Sequence, residues 1–354
     1  MALLAGLAVL AVWQTQRTDR VAEAKQAYQA SDYQTTLRLA FDQLARWPGD
    51  SSAARLAALG LSQRDFPVKA EPYYQIAEAA GQLDSDDQLV RALALIRAGR
   101  HSEAETVLQG ILDQDPEHVP ALQRLAALMQ LRQDMIQARA LATRLSQIPE
   151  GAVNGHALLG SIYQDENLGA EAAEAYLKAL AMDPEGKQLA LPIGTVYSDL
   201  AACLVSVGAP DQAREQLEMA LSKRLTLSPA DRGQMLQRLG EAYLALNQPE
   251  PAEQAWRESL RHDSTNHEAY LDLGQLALRE RPEEAIGLFK RAAELSPIAP
   301  EPHYNLSIAY TLLDRLEEAE RSQADFQRLR RESGRARTGM GAMPMPSPDR
   351  GPTP

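Results

Sequence analysis

Two short acidic stretches come closest to a metal-binding pattern in this sequence. Asp84–Asp87 reads Asp-Ser-Asp-Asp, and Asp165, Asn167 and Gly169 alternate as in the first half of a calcium loop. The second stretch lacks the later bidentate glutamate that completes such a loop. The first lies where a helix is expected to begin, and Asp and Ser are preferred N-cap residues that favour the helix dipole. We therefore interpret the first stretch as a helix cap and the second as a turn, with Gly169 as its turn residue.

The histidines and the cysteine do not form a recognisable metal site or a nucleophile with its base. The six histidines are scattered, and His262 and His267 have no carboxylate or cysteine at ligand spacing. Cys203 falls inside a predicted helix, where a buried inert thiol is the ordinary case, and a single cysteine excludes an internal disulfide. Motifs of the forms GxxxxGK[ST], HExxH, GxSxG and GxGxxG do not occur in the sequence. The sequence therefore predicts no catalytic residue, no metal site and no cofactor, and a protein that is not an enzyme.

A pair of amphipathic helices over residues 153–186 is the clearest structural pattern. Apolar residues recur at helical spacing in two windows, and residues 164–169 interrupt them. Pro184 ends the second helix because proline cannot donate the helical hydrogen bond. The pair cannot bury both apolar stripes alone, which predicts that further copies stack on it. The residues that carry the pattern are Leu159, Gly160, Tyr163, Ala172, Tyr176, Ala179 and Leu180.

The same pattern recurs with a period of 34 residues and predicts nine helical pairs. The repeats begin at residues 17, 51, 85, 119, 153, 194, 233, 267 and 300, with insertions at 187–193 and 228–232 and one residue missing near Pro282. All nine residues at position 8 and all nine at position 20 are small, as close helix crossings require. Position 8 holds Ala24, Ala58, Ala92, Ala126, Gly160, Ala201, Gly240, Gly274 and Ser307, and position 20 holds Thr36, Ala70, Ala104, Ala138, Ala172, Ala213, Ala252, Ala285 and Ala319.

These positions resemble the tetratricopeptide repeat family over residues 17–333. That family has a small residue at position 8, a bulky one at 11, alanine at 20 and 27 and proline at 32, and Gly160, Tyr163, Ala172, Ala179 and Pro184 match it. The resemblance implies an all-α fold, a right-handed superhelical solenoid of about nine helix-turn-helix repeats. Repeat arrays escape the size limit of a single core because each unit contacts only its neighbours.

The resemblance also implies a binding surface. In this family the first helix of each repeat lines a concave groove at positions 2, 5, 9, 12 and 13, with position 6 nearby, and an extended protein segment binds there. The residues expected to contact it are Arg124, Gln164, Gln234, Gln237, Arg238, Gln275, Arg279, Tyr304 and Asn305, and Asp199, Glu241 and Glu268 share this face. The lysine at position 5 and asparagine at position 9 that clamp a C-terminal carboxylate in some members do not occur, so that chaperone-docking role is not expected. Each of these residues could instead be an ordinary solvated side chain.

The apolar segment at residues 1–16 has three readings. Met1–Trp13 is uncharged and apolar, and Arg17 and Arg20 follow it, but it is shorter than the ~20 residues of a usual spanning helix. It is a signal-anchor, a cleaved signal peptide or a buried capping helix. The first repeat departs from the family at Glu23, and is either an atypical cap or a continuation of the anchor. The side of the membrane stays open.

Charge and composition limit the partners. The net charge of −12 is not that of a nucleic-acid-binding protein, which has a basic face. Residues 334–354 are rich in Gly, Pro, Arg and Met, which predicts a disordered tail. The resulting hypothesis is a membrane-associated scaffold that binds a protein or extended peptide segment, but no small-molecule substrate, in a cell-envelope complex. The alternative is a soluble cytoplasmic adaptor or co-chaperone-like regulatory module.

Overall fold

The computed structural model describes residues 20–223 and 225–339, with side chains to residue 333, and these ranges contain helices and no strand. The chain divides into two compact units, Met1–Ile162 and Tyr163–Pro354. The helices are α1 (20–29), α2 (Tyr33–Arg46), α3 (Ser51–Gln63), α4 (Pro67–Ala79), α5 (Ser85–Arg97), α6 (His101–Gln114), α7 (Val119–Leu131), α8 (Met135–Gln147), α9 (Ala152–Asp165), α10 (Gly169–Met182), α11 (Ile193–Ser206), α12 (Pro210–Ser222), α13 (Pro229–Ala245), α14 (Pro249–His262), α15 (His267–Ala277), α16 (Pro282–Leu295), α17 (Glu301–Leu312) and α18 (Leu316–Gly339).

The helices form consecutive pairs, and we call the first helix of each pair the A helix and the second the B helix. In the second unit, A helices α11, α13, α15 and α17 pack against the B helices that follow them, and each of B helices α12, α14 and α16 also packs against the next A helix. In the first unit, α3, α5 and α7 pack against α4, α6 and α8 in the same way. The predicted all-α fold of stacked helical pairs is therefore confirmed.

Small residues lie buried at the helix crossings, as their spacing predicts. Ala104 and Ala252 are both 0% exposed, and the other alanines at position 20 are likewise buried. Glycine occurs at position 8 where the B helix carries a large ring: a Cβ on Gly240 would lie 2.6 Å from Trp256 Cδ1. These rings fill space that a Cβ on the A helix would otherwise occupy, which is why the position requires a small residue.

The turns within the pairs share a feature that was not predicted from the sequence. The residue at position 15 has a positive φ in eight of the nine turns, at Ser31, Asp65, Gly99, Gln133, Asn167, Gly208, Asn247 and Asp314. In the turn at 164–169 the prediction that Gly169 is the turn residue is wrong. Asn167 has the left-handed conformation, and Gly169 begins α10, where a Cβ would lie 2.9 Å from Ser206 Oγ. Asparagine tolerates positive φ better than most residues, so the glycine serves close packing instead.

Capping accounts for the other acidic stretch. Asp84 Oδ1 accepts from the Asp87 backbone N–H at 2.9 Å, and Asp87 Oδ2 accepts from the Asp84 backbone N–H at 3.2 Å. The interpretation of Asp84–Asp87 as a helix cap is therefore confirmed, and Asp87 also accepts from the guanidinium of Arg55 on α3. The insertion at 228–232 has a similar role, since Ser228 and Asp231 form a capping box that begins α13.

The two ends of the chain lie largely outside the described residues. The predicted membrane segment 1–16 is one of these parts. Among residues 20–223 and 225–339, each helix is too short or too polar to cross a membrane. At the other end α18 continues to Gly339, beyond the expected repeat boundary at 333. The stretch 334–339 contains two arginines and an alanine, which are good helix formers, and the first proline of the tail is Pro344.

Candidate functional site

The A helices of the second unit lie side by side. A helix α11 packs against α13, and α13 contacts α15, in addition to the contacts that each makes with B helices. The faces of these helices that are turned away from the B helices therefore form one surface, which we call the A-helix surface. It carries polar residues at positions 2 and 6 of the repeats that begin at 194, 233 and 267, at position 5 of the first two and at position 9 of the last two.

A charged cluster lies at the centre of the A-helix surface, on α13. The Nη1 atom of Arg238 donates to both carboxylate oxygens of Glu241, at 2.9 and 3.0 Å. Its Nη2 atom lies 3.6 Å from Glu268 Oε2 on α15. Gln237 Nε2 donates to Glu241 Oε1 at 2.7 Å and to Asp272 Oδ2 on α15 at 2.6 Å. These contacts join two consecutive A helices through side chains alone.

Asp199 on α11 extends the cluster in the other direction. It lies near enough to Arg238 for the guanidinium to act on its titration, and it forms no ion pair within the described part of the chain. We call Asp199, Gln237, Arg238, Glu241, Glu268 and Asp272 together the Arg238 cluster. It contains four carboxylates and one guanidinium, so its acids outnumber its bases.

Burial shifts the titration of this cluster. The pKa of Asp272 is raised to about 7, chiefly by burial; Glu241 and Glu268 also raise it, whereas Gln237 and Arg238 lower it. Burial likewise raises the pKa of Asp199, which the charge of Arg238 partly opposes. The pKa of Arg238 is raised, because the surrounding carboxylates outweigh the effect of burial. The arginine is therefore always charged, whereas Asp272 changes its charge near neutral pH.

The back of α13 is held in place by α14. Trp256 Nε1 donates to the backbone oxygen of Gln237 at 3.0 Å, and Ser259 Oγ donates to the backbone oxygen of Gly233 at 2.6 Å. Gln237 is only 1% exposed, and its Oε1 has no hydrogen-bond partner; Arg238 Nε also lacks one. A buried acceptor without a partner is uncommon and costs stability.

The structure brings together only two of the nine residues predicted to bind a protein segment. Gln237 and Arg238 meet in the cluster, and the other seven form no hydrogen bond or ion pair with it within the described residues. Gln275 and Arg279 on α15 are exposed, Gln234 on α13 is half-buried, and Arg124 is exposed on α7 in the first unit.

The remaining three predicted residues make local contacts. Gln164 Oε1 accepts from the hydroxyl of Tyr176 at 3.1 Å, which ties it to its own repeat. Tyr304 is 47% exposed, and its ring centroid lies 5.3 Å from that of Phe326. Asn305 is buried, so its amide offers little surface to a ligand. The assignment of the nine residues to binding stays a prediction.

Sequence reasoning missed Asp272, the most perturbed acid of the surface. It occupies position 6 of its repeat, as do Asp199 and Arg238 in the two preceding repeats. Equivalent positions on neighbouring A helices are adjacent. The alternation of an acid, a base and an acid at position 6 of consecutive repeats could therefore have indicated a charged cluster.

Cys203 shows no sign of reactivity. Burial, with a contribution from Asp199, raises the pKa of the Cys203 thiol to about 11, so the thiolate needed for nucleophilic attack is scarce at neutral pH. Across the described ranges there is no grouping of three His, Cys, Asp or Glu side chains suited to a metal ion.

Comparison with known proteins agrees with the repeat pattern. Three family models described as "Tetratricopeptide repeat" match residues 85–128, 153–185 and 238–300. The human protein O-mannosyl-transferase TMTC3 is 26% identical over 151 residues, which are 41% of this chain and 16% of that protein. The chain thus corresponds to a small part of this curated relative.

Solved structures show the same architecture. The Cut9–Hcn1 hetero-tetramer of the APC/C is similar with a TM-score of 0.53 and 16% identity, over 82% of this chain and 55% of that one. A tetratricopeptide repeat protein from Parabacteroides merdae is similar with a TM-score of 0.50 and 14% identity, over 75% of this chain and 100% of that one. At these identities the likeness concerns the fold. The three matching stretches and the helical pairs of the described residues together show that this chain contains tetratricopeptide repeats.

Proposed function

We propose that this chain is a non-enzymatic scaffold that binds an extended segment of another protein on the A helices. The observation that carries the proposal is the exposure of Gln275, Arg279 and Tyr304 on α15 and α17. Amide, guanidinium and phenol groups hydrogen-bond a peptide backbone whatever its side chains, and tyrosine and arginine are enriched at binding hot spots. The small residues at positions 8 and 20 are already used for packing and are not available to a partner.

Site-specific photocrosslinking tests this proposal. A photoreactive residue is placed at Gln275 on α15 or, as a matched control, at Glu258, which is exposed on B helix α14. We expect protein crosslinks from the source cell's extract at position 275 and few at position 258. Crosslinked peptides are identified by mass spectrometry, and each should map to one contiguous segment of its protein. Equal crosslinking at both positions would show that the A-helix surface has no special role.

The membrane part of the proposal concerns residues 1–16. We propose that this apolar segment attaches the scaffold to a membrane, where it takes part in assembling an envelope complex. The uncharged run Met1–Trp13 followed by Arg17 and Arg20 supports this. Deleting residues 1–13 should then release a folded protein from the membrane fraction. If the full chain is found in the soluble fraction, and the deletion lowers its stability, the segment is instead a capping helix of a cytoplasmic adaptor.

A transferase activity is not part of the proposal. The relative named as an O-mannosyl-transferase shares only 16% of its own length with this chain. We infer that the shared part belongs to the repeat array and not to a catalytic region, because tetratricopeptide repeat models match residues 85–128, 153–185 and 238–300 of this chain. Mannosyl transfer to a protein acceptor by the purified chain would overturn this inference.

A further inference from the structure

The Arg238 cluster carries more negative charge than its own residues neutralise. The ion pairs of Arg238 go to Glu241 and Glu268. Asp272 has only the neutral amide of Gln237 as a hydrogen-bond donor, and Asp199 forms no ion pair among the described residues. Charged groups that are partly removed from water are costly unless they are paired. Two of the four carboxylates are therefore left without a cation of their own.

A second, independent observation points to the same missing group. Gln237 is 1% exposed, and its Oε1 atom has no hydrogen-bond partner, while its Nε2 atom is fully used by Glu241 and Asp272. The carboxylates and this amide oxygen are all acceptors, so the group that completes the cluster must be a donor. A buried acceptor without a partner also costs stability in the free chain.

The group that completes the Arg238 cluster could be a metal ion or a cationic N–H donor, and the structure favours the donor. A metal ion is disfavoured, because no three acidic, histidine or cysteine side chains of the described ranges converge as ligands. An ammonium or guanidinium group fits, since it offers several N–H donors and a positive charge to carboxylates on different helices. Arg238 Nε, the donor without a partner, suits a backbone carbonyl, which a peptide also supplies.

We propose that the Arg238 cluster recognises a lysine or arginine side chain of the bound protein segment, with Asp272 as the carboxylate that receives it. This inference rests on the proposed function, that the A helices bind an extended segment. It adds that the segment has a basic residue where it crosses α13 and α15. The basic side chain would lie against Asp272 on α15, next to Gln237 and Glu241 on α13. Asp199, on the neighbouring helix α11, adds negative charge to the same surface.

The titration of Asp272 predicts how the affinity for a basic segment should change with pH. Its pKa is raised to about 7 by burial and by Glu241 and Glu268, against Gln237 and Arg238. A bound cation stabilises the charged form, so binding should release a proton when the free site is partly protonated. Affinity for a basic segment should therefore rise between pH 6 and pH 8, where an uncharged segment should show no such change.

A displayed library of random dodecapeptides, selected on the immobilised full chain, tests both levels of the proposal. Parallel selections use the wild type, the Asp199→Asn/Asp272→Asn variant, and Asp314→Asn as the matched control. Asp314 is exposed and forms no ion pair among the described residues, and asparagine suits its φ of 56°. The double variant keeps the shape of both side chains and removes only their charge.

We expect peptides enriched in lysine or arginine on the wild type and on Asp314→Asn, and loss of that enrichment on the double variant. If peptides are enriched without a basic residue, or keep it on the double variant, the basic-residue inference is wrong and the scaffold proposal stands. If no peptide is enriched on the wild type, the proposed function itself is contradicted, and the inference with it.

A second measurement does not depend on how the variants fold. One selected peptide is synthesised with its lysine and with norleucine at the same position, and both are titrated against the wild-type chain by fluorescence anisotropy. The lysine peptide should bind about tenfold more tightly at low salt, because hydrogen bonds to charged groups are among the stronger ones. The difference should shrink at high salt. Equal affinities would overturn the inference.

Discussion

Replacing Asp272 by asparagine should stabilise this protein, and the gain should grow with pH. The folded chain holds the pKa of Asp272 at about 7, against 3.8 for an ordinary aspartate, chiefly through burial. A raised carboxylate pKa means that the folded state binds the proton more tightly than the unfolded state. The contribution of this proton to the free energy of unfolding is therefore present at low pH and is lost as the pH rises from about 3.8 to about 7. Above pH 7 the wild type has the full cost of a buried charge.

The size of the effect follows from the shift. One pKa unit corresponds to about 1.4 kcal/mol, so the full cost has an upper limit of about 4 kcal/mol. Asparagine has no charge to bury and keeps an oxygen that can accept from Gln237 Nε2. Because the wild-type cost builds up between the two pKa values, the advantage of the variant at pH 8 should exceed that at pH 5 by up to about 2.6 kcal/mol.

Trp256 provides the readout for this experiment. It is 1% exposed and donates to the backbone of Gln237, so its fluorescence reports on α13 and α14, next to the acid. Urea unfolding is followed at pH 5 and pH 8 with Trp13 and Trp47 replaced by phenylalanine, and Asp314→Asn serves as the control. The same stability difference at both pH values would mean that Asp272 titrates normally, and the description of the cluster would be wrong.

The remaining predictions concern packing and reactivity. Gly240→Ala should destabilise by about 1–3 kcal/mol in urea unfolding because its Cβ would meet Trp256, whereas Gly287→Ala on α16, where a Cβ meets nothing within 4 Å, should stabilise by about 0.5–1 kcal/mol. Ala172→Leu should cost about 1–3 kcal/mol, since Ala172 is 0% exposed; a change near zero would mean that the crossing is misplaced. Native Cys203 should react with iodoacetamide at pH 8 far more slowly than urea-unfolded protein, because its thiol pKa is raised to about 11.

The helix crossings were predictable because one physical requirement recurs in every repeat. Two helices approach closely only over a small residue, so a period of small residues identifies the crossings without knowledge of the partner side chains. Ala104 and Ala252 are fully buried as this reasoning requires. The turns were less predictable, because the left-handed residue at position 15 is asparagine, aspartate or glycine in most repeats but Ser31 and Gln133 in two.

The Arg238 cluster was only partly predictable, because its members come from different repeats. The family resemblance implied that Gln237 and Arg238 line the A-helix surface and contact a partner, but it implied no contact between them and the acids of neighbouring repeats. Whether Asp199 and Asp272 lose their water depends on how closely α11, α13 and α15 approach, and no single repeat contains that information. The charge pattern at position 6 was visible in the sequence, but its energetic weight required the burial of Gln237 and the contacts across helices.

Different positions of the repeat serve packing and recognition, which explains why the fold tolerates the destabilising Arg238 cluster. The buried residues at positions 8 and 20 hold each pair together, so residues on the A-helix surface need not contribute to stability. A site that is short of one cation in the free chain gains that cation only from a partner, which links the instability of Asp272 to recognition. The substitution Asp272→Asn should accordingly stabilise the free chain and weaken its binding to a basic segment. A result in which the Asp272→Asn variant gains stability at pH 8 and still binds lysine peptides as tightly as the wild type would show that the stability cost of Asp272 is unrelated to binding. It would contradict the proposed role of Asp272 in recognising a basic residue.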